Sequence, residues 1–237
     1  MVVNFFNETC SATACFLSIY FVPVYFQFIR GDTALMAGVR LLPYMAFLIV
    51  TNIMSGYIMS NIFPGRYFPF FYIGGALILI GGTLMYTVDE TTSTASIYGY
   101  NILLGIGTGA YLQIPFAVAQ IQVPNPELVS VAVGFVAFAQ LAAPAVTLSM
   151  ANTIFLNRAI DALRQILPDA SHVTLQNIIS GVGQEYLDQL PSSTRQEIMH
   201  VIAMSISRIY ILLIAAGGLT LVLTAILNIK LLLSRKK

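Results

Sequence analysis

Long stretches without a charged side chain constrain this sequence more than any other feature. Six of them hold between 21 and 36 residues each, at 9–29, 41–65, 67–88, 91–126, 128–157 and 209–229. A helix needs roughly 18–20 apolar residues to cross a bilayer. Charged residues make up 9% of the chain, whereas they make up roughly 25% of an ordinary soluble domain. The sequence therefore predicts a polytopic integral membrane protein.

The apolar stretches favour helices over the strands of a membrane barrel, because they are apolar on all sides and do not alternate with polar residues. We expect an all-α protein with six spans, at 9–28, 41–61, 68–88, 97–119, 129–155 and 208–229. The charged stretch before the last span has apolar residues at helical spacing, which is typical of amphipathic helices on a membrane surface. Thr194 and Glu197 have the spacing of a capping box that opens the last helix.

The chain accordingly divides into three parts. Residues 1–157 hold spans one to five, 158–207 form an extracytoplasmic loop with amphipathic helices, and 208–237 form the last span and a basic tail. Six spans place both termini on one side of the membrane. Arginine and lysine counts for the two sides are nearly equal, at five and six. The tail holds all three lysines, and this cluster indicates cytoplasmic termini.

Several classes of function are excluded by what the sequence lacks. The net charge is +1 and only the tail is basic, so a nucleic-acid partner is not expected. No metal-binding or paired-acid pattern occurs within the predicted spans, so we expect no enzyme, catalytic residue, metal or cofactor. Cys10 and Cys15 lie on different faces of one helix and cannot form a disulfide with each other.

Uncharged polar residues inside the predicted spans are the candidates for a site. The fourth span places Gly109, Gln113 and Gln120 on one face, the fifth carries Gln140, and Asn52 lies in the second. Two interpretations stay open, namely contacts between helices, which amides and small residues favour, and a water-filled path for large apolar solutes. Three glycines lie inside the fourth predicted span, at Gly105, Gly107 and Gly109. Close helix packing explains them better than nucleotide binding does.

We expect no carboxylate well inside a span. Glu8 is the nearest one, and the first span is predicted to begin just after it. An interfacial residue at a helix N-terminus explains it, since the helix dipole favours a negative charge there. A proton-carrying role is the alternative. For a proton-driven transporter, the proton site is expected elsewhere in the functional unit.

Several segments resemble the carboxyl-terminal six-helix half of major facilitator superfamily transporters, closest to the fungal fourteen-spanner drug:proton antiporters. They are residues 20–27 (YFVPVYFQ), 37–43 (AGVRLLP), 99–109 (GYNILLGIGTG) and 138–157, in this order along the chain. The resemblance implies a loop motif at Gly56, Gly65 and Arg66. The spacing in that motif is about two residues too long and its acid is missing, which puts its gating role in doubt.

The resemblance implies a plasma-membrane efflux pump that exports small apolar drugs or toxins by proton antiport. Its partners would be the lipid bilayer, the small-molecule substrate and an amino-terminal six-helix half that carries the coupling acid. The substrate-path candidates are Asn52, Asn101, Gln113, Gln120 and Gln140. The possibility that the chain is a truncated product, inactive alone, stays open. The alternative is a non-transporting helix-bundle remnant or a partner subunit of another membrane protein.

Overall fold

The computed structural model describes residues 1–62, 65–168, 170–179 and 190–234, with side chains up to residue 229. The side chains of the predicted basic tail, from Lys230 to Lys237, lie outside this description. The described residues form ten helices, which are α1 Val2–Arg30, α2 Ala34–Arg40, α3 Leu42–Asn61, α4 Phe68–Tyr86, α5 Thr94–Tyr111, α6 Ile114–Gln122, α7 Pro126–Ile166, α8 His172–Ile179, α9 Ser192–Arg208 and α10 Ile211–Ser234.

Six helical segments are long and apolar enough to cross a membrane. They are Val2–Arg30, Ala34–Asn61, Phe68–Tyr86, Thr94–Gln122, Pro126–Ile166 and Ser192–Ile229. The prediction of an all-α membrane protein with six spans is confirmed. One end of the bundle, here called the amino end, holds the start of α1 and the α6–α7 connection. The opposite end holds the α1–α2 turn and the α4–α5 loop.

The fourth predicted span is broken. We expected one helix over 97–119, but α5 ends at Tyr111 and α6 begins at Ile114. Pro115 explains the break, because its nitrogen cannot donate to the carbonyl of Tyr111 and its ring clashes with that group. Gly109 therefore lies on a different helix from Gln113 and Gln120, and the single polar face that we predicted for the three does not exist.

Two predicted helix boundaries after the fourth span also differ. Helix α7 runs on to Ile166, because Ala159 and Leu163 stay buried against the bundle after the apolar stretch has ended. The prediction of a capping box at Thr194 and Glu197 is wrong. Helix α9 begins at Ser192, and its N-cap, Pro191, makes no side-chain hydrogen bond.

Glycines let four helices approach each other at backbone distance. A Cβ added to Gly105 would lie 2.5 Å from the carbonyl oxygen of Tyr44 in α3, and one added to Gly109 would lie 2.4 Å from that of Leu48. Gly107 faces α4, and Gly217 of α10 lies against the backbone of α4 in the same way. Any larger residue at these positions forces the helices apart, so the core depends on them.

The α4–α5 loop at residues 87–93 closes the opposite end of the bundle. The Tyr25 hydroxyl donates to the backbone oxygen of Asp89 at 2.6 Å, and His200 Nδ1 lies 2.7 Å from Glu90 Oε2. Hydrogen bonds from Thr91 and Thr92 hold the pKa of the Asp89 carboxyl below its ordinary value. The stabilisation from this shift is present above the unfolded-state pKa and is lost as the pH falls through the lower folded-state pKa.

Two of the six segments expose most of their apolar surface. In the most apolar 18 residues of Ala34–Asn61, 17% of the residues are buried, and in those of Pro126–Ile166, 28% are buried. The corresponding share for Thr94–Gln122 is 67%. The exposed side chains are large and apolar, including Phe47, Val50, Ile53 and Tyr57 on α3 and Phe135, Phe138, Leu141 and Val146 on α7.

Replacement of Gly109 by alanine should destabilise the bundle, because the new methyl group overlaps the Leu48 carbonyl. Overpacking of this kind costs about 1–3 kcal/mol. Gly99 lies on the same helix with open space around it, so Gly99→Ala should be neutral or should stabilise by about 0.5–1 kcal/mol. Thermal unfolding in lipid nanodiscs, followed by circular dichroism, measures both. Equal midpoints for the two variants would contradict the packing role.

Candidate functional site

One face of α1 is polar and buried. Asn4, Asn7, Glu8, Ser11 and Ser18 recur at intervals of three, four or seven residues, which places them along one side of the helix. None of the five side chains is more than 4% exposed. Asn4 Nδ2 donates to the backbone oxygen of Pro115 at 2.6 Å, so this face is directed toward the α5–α6 break.

Glu8 is the centre of this polar face. It is 0% exposed, its Oε2 accepts a 3.4 Å hydrogen bond from Ser11, and its Oε1 has no hydrogen-bond partner among the described residues. Ion pairs in the described part of the chain do not include this carboxylate. An ionised carboxylate enclosed without a counter-ion costs several kcal/mol. Among the described residues, the Glu8 carboxyl has no counter-ion that would offset this cost.

The expectation that Glu8 is interfacial is wrong. Helix α1 begins at Val2, seven residues earlier than the predicted span. Two additional turns bring Asn4, Asn7 and Glu8 into the bundle, where α5, α6 and α10 cover them. The spacing of these polar residues continues that of Ser11 and Ser18, and this continuity is the signal by which the sequence could have located the site.

Two tyrosines place hydroxyl groups near the polar face. Tyr111 of α5 lies within electrostatic range of Glu8, and its hydroxyl is 3.2 Å from Thr220 Oγ1 of α10. Gly74 makes room for this ring, since a Cβ there would lie 2.2 Å from it. The Tyr44 hydroxyl of α3 donates to Thr108 Oγ1 at 3.5 Å. The site therefore combines one carboxyl with neutral hydroxyl and amide groups.

A cavity of about 370 Å³ opens beside Asn7 at the amino end. We call it the Asn7 cavity. It lies between α1, α4, α6 and α10, and its lining includes Asn4, Asn7, Tyr67, Phe71 and Gln122. Both polar atoms of the Asn7 amide lack a hydrogen-bond partner among the described residues. Since Asn7 precedes Glu8 directly, the cavity reaches to within one residue of the buried carboxyl.

A second cavity, of about 430 Å³, brings four of the predicted residues together. We call it the Gln113 cavity. Gln113 and Gln120 line one side, from the α5–α6 break and α6, and Gly56 and Gly65 line the other. Gly65 has a φ of 74°, a left-handed conformation that glycine adopts without strain. The cavity is thus an open groove of amide and apolar groups beside the α3–α4 connection.

The other predicted residues lie apart from this groove. Asn52 and Gln140 are half-buried on α3 and α7, and Arg66 is exposed next to Gly65. Asn101 is fully enclosed in α5, and neither atom of its amide has a partner among the described residues. Of the five amides, Gln113 and Gln120 share the Gln113 cavity, and the other three do not line it. No cluster of three His, Cys, Asp or Glu side chains that could hold a metal occurs in the described ranges.

Comparison with known proteins gives consistent relatives. The chain is 40% identical over 214 residues to the MFS-type transporter pgmG of Aspergillus terreus. This alignment covers 88% of the chain and 38% of pgmG. It is 38% identical over 215 residues to the efflux pump alnA of Emericella nidulans, covering 91% and 38%. It is 42% identical over 206 residues to the efflux pump DEP3 of Alternaria brassicicola, covering 86% and 36%.

The chain belongs to the major facilitator superfamily. No family model matches it. The chain spans less than half the length of these relatives, which are themselves named transporters or efflux pumps. As a member of this superfamily it is a multi-pass membrane protein, and the resemblance seen in residues 20–27, 37–43 and 99–109 is confirmed at the level of the family.

Replacement of Asn101 by leucine should stabilise the fold. The two side chains have similar volumes, and an enclosed amide without partners costs about 1–3 kcal/mol. Asn152 is exposed on α7, so Asn152→Leu is the matched control and should change little. Unfolding midpoints in nanodiscs test this. A loss of stability in the Asn101 variant would mean that the amide is hydrogen-bonded in the membrane.

Proposed function

We propose that this chain is the carboxyl-terminal six-helix half of an efflux transporter that exports small, largely apolar organic molecules by proton antiport. The branch is that of the fungal fourteen-spanner antiporters. The relatives at 38–42% identity support the transport class, since two of them are named efflux pumps. An amino-terminal half would complete the transporter, and the substrate path would run between the halves, as in other proteins built from two such repeats.

The observation that carries this proposal is the Gln113 cavity on an incompletely covered bundle. Amides and apolar side chains in an open groove suit a large neutral solute, because they offer hydrogen bonds without a charge to neutralise. The exposed apolar surfaces of α3 and α7 flank the bundle and suit contact with the other half. Asn52 and Gln140, which are half-buried on these helices, would then lie at the border of the path.

The orientation follows from the resemblance. Both termini would face the cytoplasm of the plasma membrane, so the amino end of the bundle would be the cytoplasmic end. Residues 158–207 would then lie outside the cell, and the α3–α4 connection with Gly56, Gly65 and Arg66 would lie inside. The Asn7 cavity and the Gln113 cavity would both open toward the cytoplasm, where an exporter loads its substrate.

Replacement of Gln113 and Gln120 by leucine should slow efflux. Each lost hydrogen bond to a bound solute is worth about 1 kcal/mol, which corresponds to roughly a fivefold change in affinity. The assay uses a chimera in which this chain replaces the matched segment of the Aspergillus terreus relative. Export of Nile red, a neutral apolar dye, is followed in yeast cells that lack their own drug pumps.

Gln196→Leu is the matched control, because Gln196 is exposed on α9 and lines neither cavity. The chimera should export the dye faster than cells with an empty vector, and dissipation of the proton gradient should abolish the difference. Chimera-expressing cells that retain as much dye as vector cells would contradict the proposal. That outcome would favour the alternative, a non-transporting helix-bundle remnant or partner subunit. Unchanged export in both leucine variants would mean that Gln113 and Gln120 do not contact the solute and only join helices.

A further inference from the structure

We propose that Glu8 is a proton-carrying residue of this bundle, protonated in the enclosed conformation and deprotonated when water reaches it through the Asn7 cavity. This inference rests on the proposed proton antiport. It takes up the alternative that the sequence analysis left open for Glu8, places a coupling role in this half, and names the side from which the proton leaves.

No cationic side chain among the described residues forms an ion pair with Glu8. The titratable groups near it are the thiols of Cys10 and Cys15 on α1, the phenol of Tyr111 on α5 and, beyond Cys15, the phenol of Tyr44 on α3. Helix α6, residues 128–157 of α7 and residues 211–229 of α10 carry no charged side chain. The Met1 amino group lines the Asn7 cavity, but it donates to Gln122 Oε1 at 3.5 Å and forms no ion pair with Glu8 among the described residues.

The unpartnered Oε1 atom of Glu8 lies beside a cavity, which the unpartnered amide of Asn101 does not line. Buried polar groups that only support a fold are as a rule hydrogen-bonded. Here Glu8 Oε1 and both polar atoms of the neighbouring Asn7 amide have no partner in the part of the chain that the structure describes. These atoms are free to accept or donate hydrogen bonds when water enters, which a group that changes its protonation state requires.

The Asn7 cavity supplies the route. It borders Asn7 and Asn4 and opens at the amino end, so a small movement of α1 against α6 brings water to the carboxyl. The O–H bond of the Glu8 carboxyl then breaks, the proton passes to a water molecule, and the electron pair stays on the carboxylate. Closure of the cavity returns Glu8 to its apolar surroundings, where it must take up a proton again.

The first experiment reads protonation directly. Infrared spectra of this chain in nanodiscs should show the C=O stretching band of a protonated carboxyl at neutral pH. The band should disappear in Glu8→Gln and remain in Glu127→Gln, whose carboxylate is exposed at the start of α7. Circular dichroism confirms that each variant is folded, and Glu8→Asp should keep the band. A wild-type spectrum without the band would overturn the inference whatever the transport assays show.

The second experiment tests whether proton release is coupled to dye transport through Glu8. The chimera is reconstituted in liposomes that contain the pH indicator pyranine, and Nile red is added under an imposed proton gradient. Wild-type and Glu127→Gln proteins should release protons on dye addition, whereas Glu8→Gln should bind dye normally and release none. Gradient-driven proton release that survives in Glu8→Gln would overturn the inference and leave the proposed antiport intact. Dye transport by the wild type that ignores the gradient would overturn the antiport itself, and the coupling role with it.

Discussion

The close approach of helix backbones at glycine is the constraint on which the rest of this structure depends. Lipid offers no hydrophobic force that would drive apolar helices together, so they must gain their stability from van der Waals contact. Gly105 and Gly109 bring α5 against α3, and Gly107 and Gly217 bring α5 and α10 against α4. This close packing also seals the bundle interior, and Glu8, Tyr111 and Asn101 are enclosed because the helices around them leave no gap.

The enclosed polar residues give the bundle two kinds of interior. The half that surrounds Phe21, Phe26 and Ile97 is mostly apolar, whereas the amino end collects a carboxyl, amides and hydroxyls around α1. Such groups weaken a membrane fold unless they are satisfied, since several of them have no partner. The unpartnered atoms of Asn4 and Asn7 lie beside the Asn7 cavity, at the amino end of the bundle.

The fold was predictable from sequence to a large extent because span length and charge are strong constraints in a membrane. Residues 41–61 and 68–88 agree with α3 and α4 to within two residues at each end. The candidate site was less predictable. Glu8 was assigned to the interface because the first span was started at the first long apolar run, and polar residues inside a helix terminus look the same whether lipid headgroups or other helices cover them. Which amides share a cavity depends on the Pro115 break, and a hydropathy pattern does not register a break.

The break at Pro115 acts as a joint between two parts of the molecule. Helix α6 can tilt about residues 112 and 113 without unwinding α5, because no helical hydrogen bond to the Pro115 nitrogen spans the gap. The backbone oxygen of the same proline accepts from Asn4, which ties the joint to the start of α1. A tilt of α6 that reshapes the groove beside Gln113 must therefore pull on the helix that carries Glu8. Since residues of α6 line both the Asn7 cavity and the Gln113 cavity, such a tilt changes the shape of both at once.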